Sequence, residues 1–381
     1  MKHNWEYKRL GDVATYVNGY AFKPSDWLDD GYPIIRIQNL NNSDAEYNYS
    51  NGNIPSKYFV SNGDLLISWS ASLGAYIWQG EMAVLNQHIF KVVFDKTNIV
   101  RNYLKYFVDF SLPLMASKTH GATMKHITKP RFDALPIPFP DVETQEQIVA
   151  ELDQINDLIA KNRELLSQLD SLAQSLFYDT FGNPISNNKG FNQKSLKEIS
   201  VVKIGPFGSL LHKEDYISNG TPLVNPIHMQ NGYVKIDNNF TIDDDKKQVL
   251  SNYLLKTNDI VFGRRGDIGR CALITSDEDG YLCGTGSLFV RFSIPINSLF
   301  ALWCFKQPSI TKLLIEKAKG ATMLNINCGI VESIPLILPS LSLQEDFAAK
   351  VEALEAQKAK VEAEIAELQT LLNARMDYWF N

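Results

Sequence analysis

The densest recognition chemistry in the chain is Phe262-Gly263-Arg264-Arg265-Gly266-Asp267-Ile268-Gly269-Arg270. It is a glycine-punctuated turn after an apolar run that reads as a strand. Arginine can donate two hydrogen bonds to guanine, and aspartate can accept from cytosine N4. Arginine also pairs with phosphate. Arg264, Arg265, Asp267 and Arg270 are therefore candidate DNA-reading residues. A similar stretch, Ile67-Ser68-Trp69-Ser70-Ala71-Ser72-Leu73-Gly74-Ala75, keeps the turn glycine and has no arginine. Its candidates are Ser68, Trp69, Ser70 and Ser72. The alternative is that the arginines form surface ion pairs and Trp69 is core. A second candidate is a loop that occurs twice, Lys118-Thr119-His120-Gly121-Ala122-Thr123-Met124-Lys125-His126 and Lys317-Ala318-Lys319-Gly320-Ala321-Thr322-Met323-Leu324-Asn325. Small residues let a backbone approach a phosphate closely. His120, Thr123, Lys125, Lys319, Thr322 and Asn325 carry groups suited to phosphate positioning. A structural turn explains Gly-Ala-Thr-Met nearly as well.

Catalytic patterns do not emerge. Asn225-Pro226-Ile227-His228 has the first half of the Asn-Pro-Pro-aromatic motif of amino-methyltransferases and lacks its second proline and aromatic. No glycine-rich fingerprint or phosphate loop provides a home for a nucleotide or a methyl donor. No nucleophile elbow occurs. His212, His228, Cys271 and Cys283 lack metal-ligand spacing, and buried cysteine is the ordinary reading. Lys246-Lys247 follows Asp243-Asp244-Asp245 and reads as a solvated turn.

The elements that position these turns come in two copies. Gly121-Ala122-Thr123-Met124 recurs 199 residues later as Gly320-Ala321-Thr322-Met323. At the same offset Leu135–Pro140 becomes Ile334–Pro339, and Gln145-Glu146-Gln147 becomes Gln344-Glu345-Asp346. Upstream the offset drifts, with Gly63-Asp64-Leu65-Leu66 matching Asn258-Asp259-Ile260-Val261 and Leu10–Ala14 matching Leu196–Ser200. The period is too long for a solenoid.

Each copy ends in a long apolar stripe. Ile148, Leu152, Ile155, Ile159, Asn162, Leu166, Leu169, Ala173 and Leu176 alternate by four and three, as do Phe347, Val351, Leu354, Lys358, Val361, Ile365, Leu368, Leu372 and Arg375. These are heptad seams that can pair as an antiparallel coiled coil, with Asn162 and Lys358 fixing register. Thr144 and Ser342 read as N-caps. Val149, Leu158, Leu165, Leu172 and Phe177 lie off the seam and are free for partners. Short apolar runs such as Tyr32–Leu40, Asp64–Trp69, Leu223–Ile227 and Leu288–Phe292 read as strands, and Asn98–Met115 and Ser298–Lys319 as helices. The fold class expected is α+β, with globular units at 1–142 and 195–341, long helices at 143–178 and 342–381, and a linker at 179–194. Thirty helical residues span about 45 Å, roughly 13 base pairs of duplex. Antiparallel helices would set two unequal heads at opposite ends, related by an internal pseudo-two-fold, to read two half-sites around an unread spacer.

The chain has 381 residues and a net charge of −6. The acidity sits in the two helical segments. Residues 143–189 carry 3 basic and 8 acidic side chains and 342–381 carry 4 and 8, whereas 1–142 carry 14 and 13 and 190–341 carry 16 and 14. A negative total is compatible with DNA binding when basic groups share a face. The longest apolar run is Leu299–Phe305, far short of a membrane span. The opening residues show no signal-peptide pattern. Four cysteines without a Cys-x-x-Cys fit a reducing cytoplasm better than a disulfide framework.

This pattern resembles the DNA-specificity subunit of type I restriction–modification systems over nearly the whole chain. The resemblance rests on the duplicated order, the opening Trp5-Glu6-Tyr7-Lys8-Arg9-Leu10-Gly11-Asp12-Val13-Ala14, the strand carrying Arg264-Arg265-Gly266-Asp267-Ile268-Gly269, and the run from Leu135 into Gln145-Glu146-Gln147 with its copy from Ile334. It implies two target-recognition domains, each followed by a spacer helix. It implies a non-catalytic subunit in a bacterial or archaeal cytoplasm, binding double-stranded DNA and assembling with two adenine-methyltransferase subunits and with endonuclease/translocase subunits. S-adenosylmethionine, ATP and magnesium would belong to those partners, and no cofactor to this chain. The reading of a different class is a two-headed protein-interaction scaffold.

Overall fold

The computed structural model describes residues 4–42, 44–117, 127–318 and 325–381. The chain falls into two compact units, one of residues 1–164 with 362–381 and one of residues 165–361.

In the first unit the strands are β1 (Glu6–Arg9), β2 (Thr15–Asn18), β3 (Tyr32–Ile35), β4 (Asn48–Ser50), β5 (Phe59–Val60), β6 (Leu65–Ser68), β7 (Gly74–Ile77), β8 (Ala83–Leu85), β9 (Ile89–Val93) and β10 (Pro136–Phe139). Its helices are α1 (Leu10–Val13), α2 (Ile37–Asn41), α3 (Arg101–Ser117), α4 (Lys129–Asp133) and the start of α5 (Val142–Phe181). One sheet has the order β2-β9-β6-β7 and another β4-β3-β8-β5, while β1 pairs with β10. Tyr32–Leu40, expected as one strand, turns into α2 after Ile35.

The second unit repeats this plan. Its strands are β11 (Asn192–Ser195), β12 (Ser200–Ile204), β13 (Thr221–Val224), β14 (Met229–Gln230), β15 (Tyr233–Val234), β16 (Thr241–Ile242), β17 (Ile260–Gly263), β18 (Cys271–Leu273), β19 (Leu282–Cys283), β20 (Ser287–Phe292) and β21 (Pro335–Leu338). Its helices are α6 (Leu196–Ile199), α7 (Asp244–Val249), α8 (Ser298–Phe305), α9 (Pro308–Lys317), α10 (Cys328–Glu332) and most of α11 (Leu341–Phe380). The order β12-β20-β17-β18 copies β2-β9-β6-β7, and β11–β21 copies β1–β10. Ser298–Lys319, expected as one helix, is two. Pro308 has no N–H to give to the previous turn, so α8 ends and Pro308 opens α9. Lys246 and Lys247 lie in α7, capped by Asp243, and Lys246 pairs with Asp215 at 3.0 Å, so the expected free turn is a capped helix.

Each long helix starts in one unit and ends in the other. In the first unit α5 and α11 run antiparallel. Ile148, Leu152, Ile155 and Ile159 share a core with Leu372, Met376 and Phe380, and Ile365 and Leu368 pack against it. Arg375 pairs with Glu151, which also accepts the Trp379 indole N–H at 2.9 Å. The bond from Arg375 holds the Glu151 carboxyl below its usual range. Asn162 donates to Glu364 at 3.3 Å. In the second unit Ala173, Phe177 and Phe181 share a core with Phe347 and Val351, with Leu354 packed against it, and Lys358 pairs with Asp170 at 2.7 Å. Leu166 is half-buried, and Leu169 and Val361 are buried. The polar seam residues Asn162 and Lys358 thus both bond across to the opposite helix.

The apolar stripes pack on the domains as well as on each other. Phe380 lies edge-on to Tyr103 with ring centres 5.4 Å apart, and Phe181 lies 4.7 Å from Phe300. This is why the compact units divide within both helices and not at their starts. It also corrects Phe177, which is fully buried and faces no partner, and Val149, which packs half-buried on the first core. Leu158, Leu165 and Leu172 are exposed. The N-caps are earlier than Thr144 and Ser342. Asp141 accepts from the Thr144 N–H at 2.8 Å, and the Ser340 carbonyl takes the Leu343 N–H at 3.0 Å, because each helix begins directly after the proline-rich strand.

Candidate nucleic-acid interface

The two arginine-bearing and serine-bearing turns occupy the same place in their domains. One joins β6 to β7 and the other joins β17 to β18. The central strands are wholly buried, so each turn is the exit of a rigid strand. Each is tied at two main-chain points. The Trp69 N–H donates to the His88 carbonyl at 3.3 Å, and the Trp69 carbonyl accepts the Ile127 N–H at 3.1 Å. The Arg264 N–H donates to the Gly286 carbonyl at 2.9 Å, and the Arg264 carbonyl accepts the Ile326 N–H at 3.0 Å. Main-chain bonds of this kind leave the side chain free to change.

The side chains then part company. Arg264 is only 9% exposed and donates through Nε to the Ile326 carbonyl at 3.3 Å. Burial pulls its guanidinium below the usual arginine range. This corrects its expected role, since Arg264 holds the turn to the Asn325–Ile326 segment and does not present a base-reading fork. Arg265 is exposed beside Asn325, with which it forms a β-bridge. Asp267 is exposed and pairs with Arg270 at 2.8 Å. Arg270 also donates to the Pro226 carbonyl at 3.1 Å. Gly266 and Gly269 have φ of +78° and +99°, the left-handed region that glycine enters without strain. A Cβ on Gly269 would meet Thr311 Oγ1 at 2.6 Å.

In the first turn Ser68 and Ser70 are buried, and the Ser68 hydroxyl donates to the Ser70 carbonyl at 3.2 Å. Both are therefore turn-building residues, a correction to their expected place at the surface. Trp69 is half-buried, stacked on Phe90 at 5.5 Å, with its indole N–H on Asn18 at 3.1 Å. Ser72 is exposed. His120, Thr123, Lys125, Lys319 and Thr322 lie outside the described residues. Asn325 is half-buried, and its Oδ1 has no hydrogen-bond partner among the described residues.

Several organising side chains carry no signal beyond the repeat. Gln145 accepts the Val100 N–H at 2.8 Å and donates to the Pro140 carbonyl at 2.9 Å. Gln344 accepts the Asn297 N–H at 3.0 Å and donates to the Pro339 carbonyl at 2.9 Å. The first residue of each Gln-Glu motif therefore pins its long helix to the helix behind the sheet. Asp64 pairs with Lys91 at 2.8 Å, and Asp259 with Arg291 at 2.6 Å. A cavity of about 710 Å³ lies behind the second turn, between Met229–Gly232, Asp267–Cys271, Lys306 and Thr311.

Among the described residues no group of three His, Cys, Asp or Glu side chains is placed to hold a metal ion. Cys271, Cys283 and Cys304 are buried, and burial pushes the Cys271 thiol up to about 12. Among the described residues no helix is long and apolar enough to cross a membrane.

Comparison with known proteins agrees with the doubled plan. The family described as the type I restriction modification DNA specificity domain matches residues 2–171 and 188–370. The EcoBI type I restriction enzyme specificity subunit of Escherichia coli is 21% identical over 388 residues, covering 95% of this chain and 81% of that protein. The MjaVIII specificity subunit of Methanocaldococcus jannaschii is 22% identical over 372 residues, covering 93% and 87%. The fold is shared with the S subunit from M. genitalium, at a TM-score of 0.55 and 14% identity over 99% of this chain and 96% of that one. It is shared too with a chain from a type I restriction–modification complex structure, at 0.61 and 17% over 98% and 96%. With both halves matched by the same family and both halves built on one plan, the chain belongs to the DNA-specificity subunits of type I restriction–modification systems.

Proposed function

We propose that this chain reads a bipartite DNA target, one half-site per domain, and lends that reading to partner enzymes without catalysing a reaction itself. The observation that carries this is the pair of turns: one main-chain scaffold, used twice, presenting Arg265, Asp267 and Arg270 in one domain and Ser72 in the other. A scaffold that conserves its bonds and changes its exposed donors and acceptors suits two different base sequences. Trp69 and Arg264 act by holding their turns. The Gly-Ala-Thr-Met loops, with His120, Thr123, Lys125, Lys319, Thr322 and Asn325, position phosphates. The paired helices form the coiled coil that sets the unread spacer, and their acidic surface is suited to docking protein and not DNA.

The partners are two adenine-methyltransferase subunits and, for cleavage, endonuclease/translocase subunits in the cytoplasm. S-adenosylmethionine, ATP and magnesium belong to them. Methylome sequencing of cells carrying this chain with its neighbouring subunits tests the proposal. The expected result is a bipartite motif with modified adenine on both strands. Exchange of residues 195–341 for another second domain should change one half-site only. A change in both half-sites overturns the modular reading.

A further inference from the structure

The cavity behind the second turn carries a positive charge at a position where the first domain carries a negative one. The Val100 N–H sits on Gln145 and the Asn297 N–H on Gln344, so α3 and α8 start in equivalent positions. Nine residues on, the first domain has Asp109 and the second has Lys306. Strand register agrees. Ile67 pairs with Ala75, and Phe262 pairs with Cys271, at the same level of the two sheets. In the first domain Asp109 accepts the Ala75 N–H at 2.7 Å and pairs with Lys105 at 2.8 Å. Its carboxylate is used up in clamping the turn to the helix.

Lys306 is not used up. Its ammonium lies 4.7 Å from the centre of the Trp303 ring and has one long hydrogen bond, 3.4 Å to the Asn231 carbonyl. An ammonium has three N–H groups to give, and Lys306 makes no ion pair among the described residues. The nearby carboxylates of Asp170 and Glu355 are both taken by Lys358, at 2.7 and 3.2 Å. Lys306 is exposed, and partial desolvation of its ammonium pulls it below the usual lysine range. Of the charged groups on the cavity wall, Arg270 is balanced by Asp267, which leaves Lys306 as the surplus positive charge. The wall is shared with the turn through Asp267–Arg270, so an anion lying in it would lie next to the Asp267–Arg270 pair.

We infer that this cavity, through Lys306, binds one backbone phosphate of the DNA strand beside the second half-site, and that the first domain has no such contact at Asp109. The inference rests on the DNA-reading function proposed above. It makes Lys306 a positioning residue that adds affinity without sequence information. Lys306 then adds one phosphate's worth of salt dependence to the second domain's hold on DNA.

The test uses the full chain with its partner subunits and duplexes carrying the target motif. Each phosphate flanking the second half-site is replaced in turn by an uncharged methylphosphonate. One position should weaken binding to the wild type and have no effect on Lys306→Gln. The slope of log affinity against log salt should fall by about 0.9 in Lys306→Gln and be restored in Lys306→Arg, with base preference unchanged in both. An unaltered slope in a folded Lys306→Gln complex overturns the inference. So does a wild-type scan with no sensitive phosphate beside the second half-site, which needs no variant. Sequence-selective binding with either of these results leaves the reading of two half-sites intact, whereas loss of any sequence preference in the wild type overturns both.

Discussion

The turn after β6 and the turn after β17 are held by the same main-chain bonds, yet they are stiffened by different means. The second uses glycine at both left-handed positions, a buried Arg264 and the Asp267–Arg270 pair. The first forces Ala71 to φ +58°, buries two serines and leans on the Trp69–Phe90 stack. The second also closes on its strand one residue later, since Phe262 pairs with Cys271 where Ile67 pairs with Ala75. A duplicated domain can thus vary what its turn displays as long as main-chain bonds carry the geometry. The side chains beneath each turn have diverged to support it in its own way.

The largest difference is expected beneath the turns. Asp259 is 1% exposed and receives two bonds from Arg291, at 2.8 and 2.6 Å, as well as the Lys256 N–H at 2.8 Å. Asp64, itself 26% exposed, does the same job with Lys91 and the Ser61 N–H. Asp259→Ala strands a partly buried guanidinium and should cost about 3 kcal/mol, somewhat below the cost for a fully buried pair. Asp64→Ala should cost about 1 kcal/mol. Hydrogen-exchange protection of β17 in one variant and β6 in the other measures the two losses separately. Equal losses would break the view that the second domain is locked more tightly.

A second prediction separates two adjacent arginines. Arg265→Ala should weaken binding to the full target by about 1–3 kcal/mol and relax preference at one position of the second half-site. Arg264→Ala should lower stability by about 1–2 kcal/mol through the lost bond to Ile326. It should leave base preference where it was. Binding to single-base variants of the target, alongside thermal unfolding, checks both. Altered preference from Arg264 alone would return that residue to the DNA surface.

The repeat, the four-and-three stripes and the α+β class were legible because they are periodic or recur at a constant offset. The places of Asn162 and Lys358 on the two seams followed from the same periodicity. What was not legible is set by tertiary contact. Nothing local marks Arg264 as buried, since its partner Ile326 is 62 residues away. Nothing local marks Phe177 as core and Leu172 as surface, because both are apolar on one helix and only the neighbouring Phe347 and Trp303 decide between them. Asp141 displaced Thr144 as the cap because the preceding strand runs straight into the helix. Gln145 and Gln344 recur at the 199-residue offset, but only the structure shows why a glutamine is needed there.

The smallest effect tests the turns themselves. Ala71 and Gly266 each occupy the third place of their turn, counting from Ser68 and Gly263 as the strand ends, and both have positive φ. An L-residue in the left-handed region costs about 1–2 kcal/mol. Replacing alanine by glycine raises the entropy of the unfolded chain, which costs about 0.4–1 kcal/mol in the other direction. Ala71→Gly should therefore stabilise the first domain by roughly 0.5–1 kcal/mol, the difference between those two effects. Gly266→Ala reverses both signs and should destabilise the second by a similar amount, with no steric contribution, because a Cβ there meets nothing within 4 Å. Opposite shifts in thermal midpoint would show that the two turns share one backbone conformation. If Ala71→Gly destabilised instead, the first turn would owe its shape to side-chain packing around Ser68, Trp69 and Ser70, and the two turns would be alike in position only.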